Sequence, residues 1–366
     1  MGGGLRSLPH VHRRPDGGRR RQSGDAAEID LVRAQARRRA GLADARLRRG
    51  AVVRGARRTV FIICGPTASG KSRLALGLAR RLAETGGGAT IINADSMQVY
   101  RGLEVLTAQP DAAARAEAPH DLYGMFEPND PCSAGRWRGL ALVAIKHAQE
   151  EGRAAVVCGG SGLYLRALTG GIAPVPDIPA DVRASIRARH AALGSTAFHA
   201  ELAARDPEGA MAIRPSDSLR MMRAMEVVEA TGLPLSRWQE VPAEGPPAGL
   251  AFRIIRLSPP RAALYAAIDA RFDAMLRAGA LAEAAALAAR RLDPDLPAMK
   301  ALGVVELARA AGGAMPLEDA VTRVKTASRN YAKRQETWFN RQIIADFTYR
   351  EILSESFLQK ILPEIL

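Results

Sequence analysis

The 366-residue chain predicts an α/β fold. Its parallel-sheet core opens on a phosphate-binding loop, is interrupted by an all-helical insertion, and ends in a helical C-terminal region. Three observations predict it. Short apolar runs at 60–64, 89–93, 154–158 and 252–257 are separated by helical periodicity, the pattern of strands buried on both faces. The first run passes through Gly65-Pro66-Thr67-Ala68-Ser69-Gly70-Lys71-Ser72 directly into a helical pattern. Residues 180–238 read as several short helices without a strand.

The segment 65–72 fits G-x-x-x-x-G-K-[ST]. Strand, glycine-bounded loop and helix is the context that makes such a match a P-loop, so the core is P-loop NTPase-like. The helix that follows carries Leu74, Leu78 and Leu82 on one side and Arg73, Arg80 and Arg81 around it. Backbone amides of the loop wrap phosphate oxygens, and the helix N-terminus adds partial positive charge. Lys71 is expected to reach the outer phosphates and Ser72 to bind Mg²⁺. The chain is therefore expected to bind a diphosphate or triphosphate.

A chain of this length holds one large domain or two smaller ones. No apolar run is long enough to span a membrane, and no signal-peptide pattern is present. Cys64, Cys132 and Cys158 form no CxxC, so free thiols in a reducing cytosol are expected. The six histidines lack ligand spacing, which argues against zinc. The net charge of +14 is unevenly placed. Residues 1–58 hold 16 arginines against 5 acids, a net of +11, and the other 36 bases and 33 acids leave only +3. Nucleic-acid binding must therefore be argued from local patches. The arm at 1–58 reads as a basic RNA-binding extension, a transit peptide (disfavoured by its acids and scarce serines), or translation from an upstream start.

After Gly86-Gly87-Gly88, the strand at 89–93 ends in Ala94-Asp95-Ser96-Met97-Gln98. Ligands collect beyond the carboxyl ends of parallel strands, so Asp95 is placed to act as a general base or Mg²⁺ ligand, or else to cap the segment after it. Residues 107–130 are loop-like and proline-rich, a helix is expected over 133–150, and the strand at 154–158 ends in Gly159-Gly160-Ser161-Gly162. The insertion follows, with helices at 181–190, 195–205, 208–213 and 217–230, before the strand at 252–257. The remainder reads as helices at 261–278, 280–291 and 315–339. Within 323–341, Arg323, Lys325, Arg329, Lys333, Arg334 and Arg341 face only Glu336, with Tyr331, Trp338 and Phe339 interleaved. Arg329 and Lys333 share a helix face. Bases next to a Trp suit phosphate contact with base stacking, although a plain solvated face has the same look.

Together these segments resemble the bacterial tRNA dimethylallyltransferases (tRNA isopentenyltransferases). The similarity rests on GPTASGKS at 65–72, INADSMQVYRGL at 92–103, TAQP at 107–110, PHDL at 119–122, SAGRW at 133–137 and GGSGLY at 159–164. It continues through SLRMMRAMEV at 218–227, DARF at 269–272, DLPAMKALG at 295–303 and ASRNYAKRQETWF at 327–339. The resemblance implies transfer of a dimethylallyl group from its diphosphate to N6 of the adenosine 3′ of the anticodon, in tRNAs reading codons that begin with U. It implies Mg²⁺ as cofactor, a tRNA anticodon stem-loop as partner, and a cytoplasmic, monomeric enzyme.

By the same resemblance, Asp95 matches the general base and Arg271 an arginine that grips the prenyl diphosphate. Gly65, Thr67, Ala68, Ser69, Gly70, Lys71 and Ser72 match the diphosphate loop. Ser161 stands where most relatives have Thr and keeps the catalytic hydroxyl. Asp95, Ser96, Met97, Gln98, Ser161, Leu219, Arg220, Met221, Met222, Arg223, Lys300, Lys333, Arg334, Gln335 and Trp338 match tRNA-contacting positions, with Arg183 from the insertion. Val304-Val305 replaces a usual Tyr-Lys or Tyr-Arg, Asn340 a usual Arg, and the zinc finger of eukaryotic relatives is absent. The expected organisation is an arm at 1–58, core at 59–174, insertion at 175–240, core again at 241–348, and a tail at 349–366. The alternatives are a P-loop kinase of a small metabolite, or an RNA-binding NTPase switch. Against the kinase, no arginine-rich lid segment is evident, and the basic C-terminal helix would have no purpose.

Overall fold

The computed structural model describes residues 59–366 except 242, 244 and 248, so the arm at 1–58 lies outside the described residues. The first half of the core runs β1 (Thr59–Cys64), α1 (Lys71–Glu84), β2 (Ala89–Asn93), α2 (Ala112–Glu117), β3 (His120–Asp121), α3 (Ala134–Glu150), β4 (Ala154–Gly159) and α4 (Gly162–Gly170). The insertion follows as α5 (Ala180–Arg205), α6 (Pro207–Ala212), α7 (Ser218–Thr231) and α8 (Leu235–Glu240). The chain then returns through β5 (Ala251–Leu257), α9 (Arg261–Arg277), α10 (Ala280–Ala289), α11 (Val304–Ala311), α12 (Leu317–Gln342), β6 (Phe347–Tyr349) and α13 (Glu355–Ile365).

The six strands form one parallel sheet in the order β3-β2-β4-β1-β5-β6. Because β4 inserts between β1 and β2, three carboxyl ends become neighbours. Cys64 pairs in register with Gly159, and Asn93 with Cys158. The loops leaving these ends, 65–70, 94–99 and 160–161, therefore meet above the same edge. Every residue of β2 and β4 is buried, as is all of β1 after Thr59, which is why these strands read as unbroken apolar runs. The outer strands β3 and β6 are two and three residues long and have no such run.

On one face of the sheet, α1 buries Leu74, Leu78 and Leu82 against Phe61, Ile63 and Val156. The segment expected to be a tail closes this layer. Ser354 caps α13 by accepting from Phe357 N, and Phe357, Leu358, Ile361, Leu362 and Ile365 enter the same core. Their three- and four-residue spacing is the helical signal that reading 349–366 as a tail overlooked. On the other face, Trp137 of α3 stacks on Tyr164 of α4, with ring centroids 4.5 Å apart.

The insertion has its own apolar cluster of Ile186, Phe198, Leu202, Ala210, Met221, Ala224 and Met225. Its long helix α5 breaks at Gly194, whose φ of +73° is left-handed, between the two helices expected there. No helix among the described residues is long and apolar enough to cross a membrane.

Candidate active site and nucleic-acid interface

The loop after β1 is shaped by backbone conformations that side chains resist. Gly65 has φ +149°, and a Cβ there would lie 2.4 Å from the Leu257 carbonyl oxygen. Ala68 (φ +60°) and Gly70 (φ +94°) are also left-handed, which curls the loop into a nest of amides. Its shape is held from outside: buried Gln335 of α12 accepts from Thr67 N at 2.8 Å and donates to Gly160 O at 2.9 Å. Lys71 donates to Pro66 O at 2.7 Å. The Ser69 hydroxyl is buried within the loop with no hydrogen-bond partner among the described residues. No acid occupies the first turn of α1, so its positive end is not neutralised from within the helix.

Opposite the loop, Asn93 at the end of β2 sets the aspartate. Its Oδ1 accepts from Asp95 N at 2.7 Å, and its Nδ2 donates to Asp95 O at 2.9 Å and Leu122 O at 3.0 Å. Asp95 Oδ1 accepts from Met97 N at 2.9 Å, and the side chain lines a cavity shared with the P-loop. One oxygen thus caps the following turn while the residue still lines the cavity, so capping does not exclude a functional role. Gly159 allows the close approach this needs, because a Cβ there would fall 2.1 Å from the Ala94 carbonyl carbon.

The cavity has a volume of about 380 Å³ and a lining of two chemical kinds. Thr67, Lys71, Ser72, Asp95 and Arg271 line it together with the apolar Leu106, Ile268, Phe272, Met275, Leu302 and Val324. Ile268, Arg271, Phe272 and Met275 come from one stripe of α9 at helical spacing. Among the described residues Arg271 makes only long hydrogen bonds, 3.3 Å to Thr67 Oγ1 and 3.4 Å to Thr107 O. Burial pushes the pKa of both Lys71 and Arg271 down, with the Asp95 charge opposing it in each case. Both cations are thus short of the charge partner their confinement calls for. The loop carrying Leu106 and Thr107 is clamped by Glu283 of α10, whose carboxylate accepts from Val105 N at 2.8 Å and Leu106 N at 2.7 Å.

A second, more open groove of about 630 Å³ runs beside α12, lined by Arg166, Arg220, Asn330, Lys333, Arg334, Thr337, Trp338, Arg341 and Gln342. It holds five bases and no acid. Arg334 lines both this groove and the cavity, so the two adjoin.

The profile of the IPP transferase family matches residues 98–342. The chain is 55% identical over 290 residues to the tRNA dimethylallyltransferase of Rhodospirillum centenum, covering 79% of this chain and 91% of that one. It is 51% identical over 304 residues to the enzyme of the same name from Parvibaculum lavamentivorans, covering 83% and 95%. The chain belongs to the tRNA dimethylallyltransferase family. Among solved structures, it is similar to the tRNA isopentenylpyrophosphate transferase of Bacillus halodurans, with TM-score 0.59, 31% identity and coverage of 84% and 95%. A eukaryotic dimethylallyltransferase shares the fold at TM-score 0.64 and 23% identity.

Within this tRNA dimethylallyltransferase-family chain the expected site residues separate into distinct places. Thr67, Ala68, Lys71, Ser72, Asp95, Ser96, Met97, Gln98, Arg271, Lys300 and Arg334 line the cavity. Gly65, Ser69 and Gly70 shape the loop beneath it. Arg220, Lys333, Arg334 and Trp338 line the groove. Others make contacts within the protein or lie away from both spaces. Ser161, expected to be catalytic and to touch RNA, is 9% exposed, and its hydroxyl accepts from Ser96 N at 2.8 Å and donates to Ser96 Oγ at 3.1 Å. It ties the β4 turn to the Asp95 loop. Gln335, expected to contact RNA, is spent on the P-loop and Gly160. Met221 is fully buried and Met222 packs against the same insertion core. Arg223 pairs with Glu226 at 3.6 Å, and Leu219 is 65% exposed at the start of α7. Neither residue nor Arg183 lines the cavity or the groove.

The basic run also divides. Arg329 pairs with Asp269 at 2.9 Å and Lys325 with Asp273 at 2.6 Å, so both fasten α12 to α9 rather than facing the groove. Arg166 of α4 was missed because it lies outside that run, and Glu283 because its two partners are 178 and 177 residues away. No local pattern marks either.

Proposed function

We propose that this chain transfers the dimethylallyl group of dimethylallyl diphosphate to N6 of the adenosine 3′ of the anticodon in tRNA. The observation that carries the reading is one cavity lined both by the P-loop with Lys71 and Arg271 and by apolar side chains of α9 and the neighbouring loops. A prenyl diphosphate has that polarity, and a small polar metabolite awaiting a phosphoryl group does not. The family assignment points the same way, against the kinase and the nucleotide switch. The adjoining basic groove suits an anticodon stem-loop.

In this reading the loop amides, Lys71 and Arg271 hold the diphosphate and stabilise the charge it gains as its bond to the allylic carbon breaks. Leu106, Ile268, Phe272 and Met275 hold the prenyl group and keep water from the allylic carbon. The adenine amine forms the new C–N bond, the bonding pair of the broken C–O bond leaves with diphosphate, and the amine proton passes to Asp95. The adenine must leave its stack to reach this carboxylate. Mg²⁺ fits the donors present. Ser72 offers an exposed hydroxyl at the start of α1, and no cluster of three or more His, Cys, Asp or Glu side chains suited to a metal exists among the described residues. A hard cation held by Ser72 and phosphate oxygens would neutralise diphosphate charge.

The test is incubation of the full chain with bulk tRNA and labelled dimethylallyl diphosphate. Label in tRNA, with ATP a poor competitor, is the expected result. Unlabelled tRNA, with ATP binding strongly to the loop, would overturn the proposal in favour of a kinase or switch.

A further inference from the structure

The groove beside α12 does not stop at that helix. Lys333 and Thr337 also line a cavity of about 250 Å³ between α12 and the start of α9, together with Arg261, Tyr265 and Asn340. Glu336 and Asn340 then continue into a third cavity of about 360 Å³ at the carboxyl ends of β5 and β6, with Arg256, Ser258, Thr348 and Arg350. The chain of shared residues runs from Lys333 to Asn340, about 10 Å along the helix.

Four bases (Arg256, Arg261, Lys333 and Arg350) face Glu336 as the sole acid lining these two cavities. That acid is already satisfied, accepting from Arg256 Nη2 at 2.6 Å and Ser258 Oγ at 2.6 Å. Arg256 is held rigidly, because its Nη2 also donates to Asn340 Oδ1 at 2.8 Å. Its side chain is only 9% exposed, and its Nε is buried with no hydrogen-bond partner. Arg261, Lys333 and Arg350 form no ion pair among the described residues, in contrast to Arg329 and Lys325 of the same neighbourhood. A polar, donor-rich strip with unneutralised cations fits a phosphodiester chain.

We propose that the backbone of the bound RNA crosses the exposed face of α12 and sets phosphates against Arg261 and Arg350, a second track beyond the groove. The inference rests on the proposed reading of the groove as an RNA site and extends it to residues outside the recognised motifs.

The experiment uses the full-length protein, bulk tRNA and a salt series, with Arg261→Ala and Arg350→Ala combined. The expected result is tRNA affinity weakened several-fold near 0.15 M salt and a slope of log affinity against log salt that is shallower by about 1.4–1.8, two contacts at 0.7–0.9 each. Affinity for dimethylallyl diphosphate serves as the folding control. The Arg261→Lys, Arg350→Lys pair keeps both charges and should restore most of the slope, which a packing role would not. Unchanged slope in the Ala pair overturns the inference. So does loss of inorganic phosphate binding in that pair without a change in tRNA binding, which would mark a site for free anions. Wild type that fails to bind or label tRNA removes the reading of the groove itself; wild type that labels tRNA beside variants of unchanged slope removes only the second track.

Discussion

The cations of the cavity and those of the groove are the same residue types in opposite physical settings. Lys71 and Arg271 sit in confinement, where burial pushes their pKa values down and Asp95 is the compensating charge. Lys333 and Arg341 line an open groove without an acid. Confined charges act at full strength on a group that develops charge beside them, and are little screened by salt. Exposed ones attract a polyanion from solution, and their effect fades as salt rises. The cavity should therefore govern rate, and the groove should govern tRNA affinity.

The sharpest break of that division is Asp95→Asn, which keeps size and hydrogen bonding but removes the base. Single-turnover transfer should fall by about 10²–10⁴. Diphosphate affinity should not weaken, and its Mg²⁺ dependence should stay the same. A raised Mg²⁺ requirement would instead make Asp95 a metal ligand, and intact chemistry with weak tRNA binding would make it a contact for the adenine.

Arg271→Gln comes next, since it removes one fixed donor from the leaving group. Transfer should slow by about 10²–10³ at every salt concentration. A loss that shrinks at low salt would mean that Arg271 belongs with the screened cations and would erase the distinction.

Gln335→Ala tests whether the two regions are joined. This amide is carried by the groove helix yet holds the P-loop, so its loss strands Thr67 N and Gly160 O without their partner. Stability should drop by about 1–3 kcal/mol, and diphosphate binding should weaken, while the salt slope for tRNA stays the same. A changed slope with sound diphosphate binding would return Gln335 to the RNA interface.

The smallest effect belongs to Lys333→Ala with Arg341→Ala. The KM for tRNA should rise several-fold and its salt slope should shrink by about 1.4–1.8, with affinity for dimethylallyl diphosphate untouched. If tRNA binding holds and the protein melts earlier, the groove bases are a structural face.

What was legible in the sequence follows from the range of the interactions involved. The P-loop is contiguous, with its strand before and its helix after, so Gly65 to Ser72 carry their own context. The Asp95 turn is built from Asn93 and Met97, two residues either side, and is nearly as local. The edge strands at His120–Asp121 and Phe347–Tyr349 are too short for periodicity to register. Ser161 was expected in the site by resemblance alone, and its tie to Ser96, 65 residues away, leaves no local pattern in the sequence.

The strand–loop–helix of the P-loop motif, the sheet class, the helical insertion and a basic aromatic helix could all be read from the chain alone. Which bases of that helix stay unpaired was settled by packing alone. Arg329 and Lys333 are four residues apart, so they project only about 40° from one another around α12. Yet Arg329 is drawn to Asp269 of α9 while Lys333 remains in the groove. Helical spacing places two side chains on one face, but a carboxylate supplied by a helix some sixty residues earlier neutralises one of them. Charge pairing across such a distance in the chain is set by packing, and no local pattern encodes it.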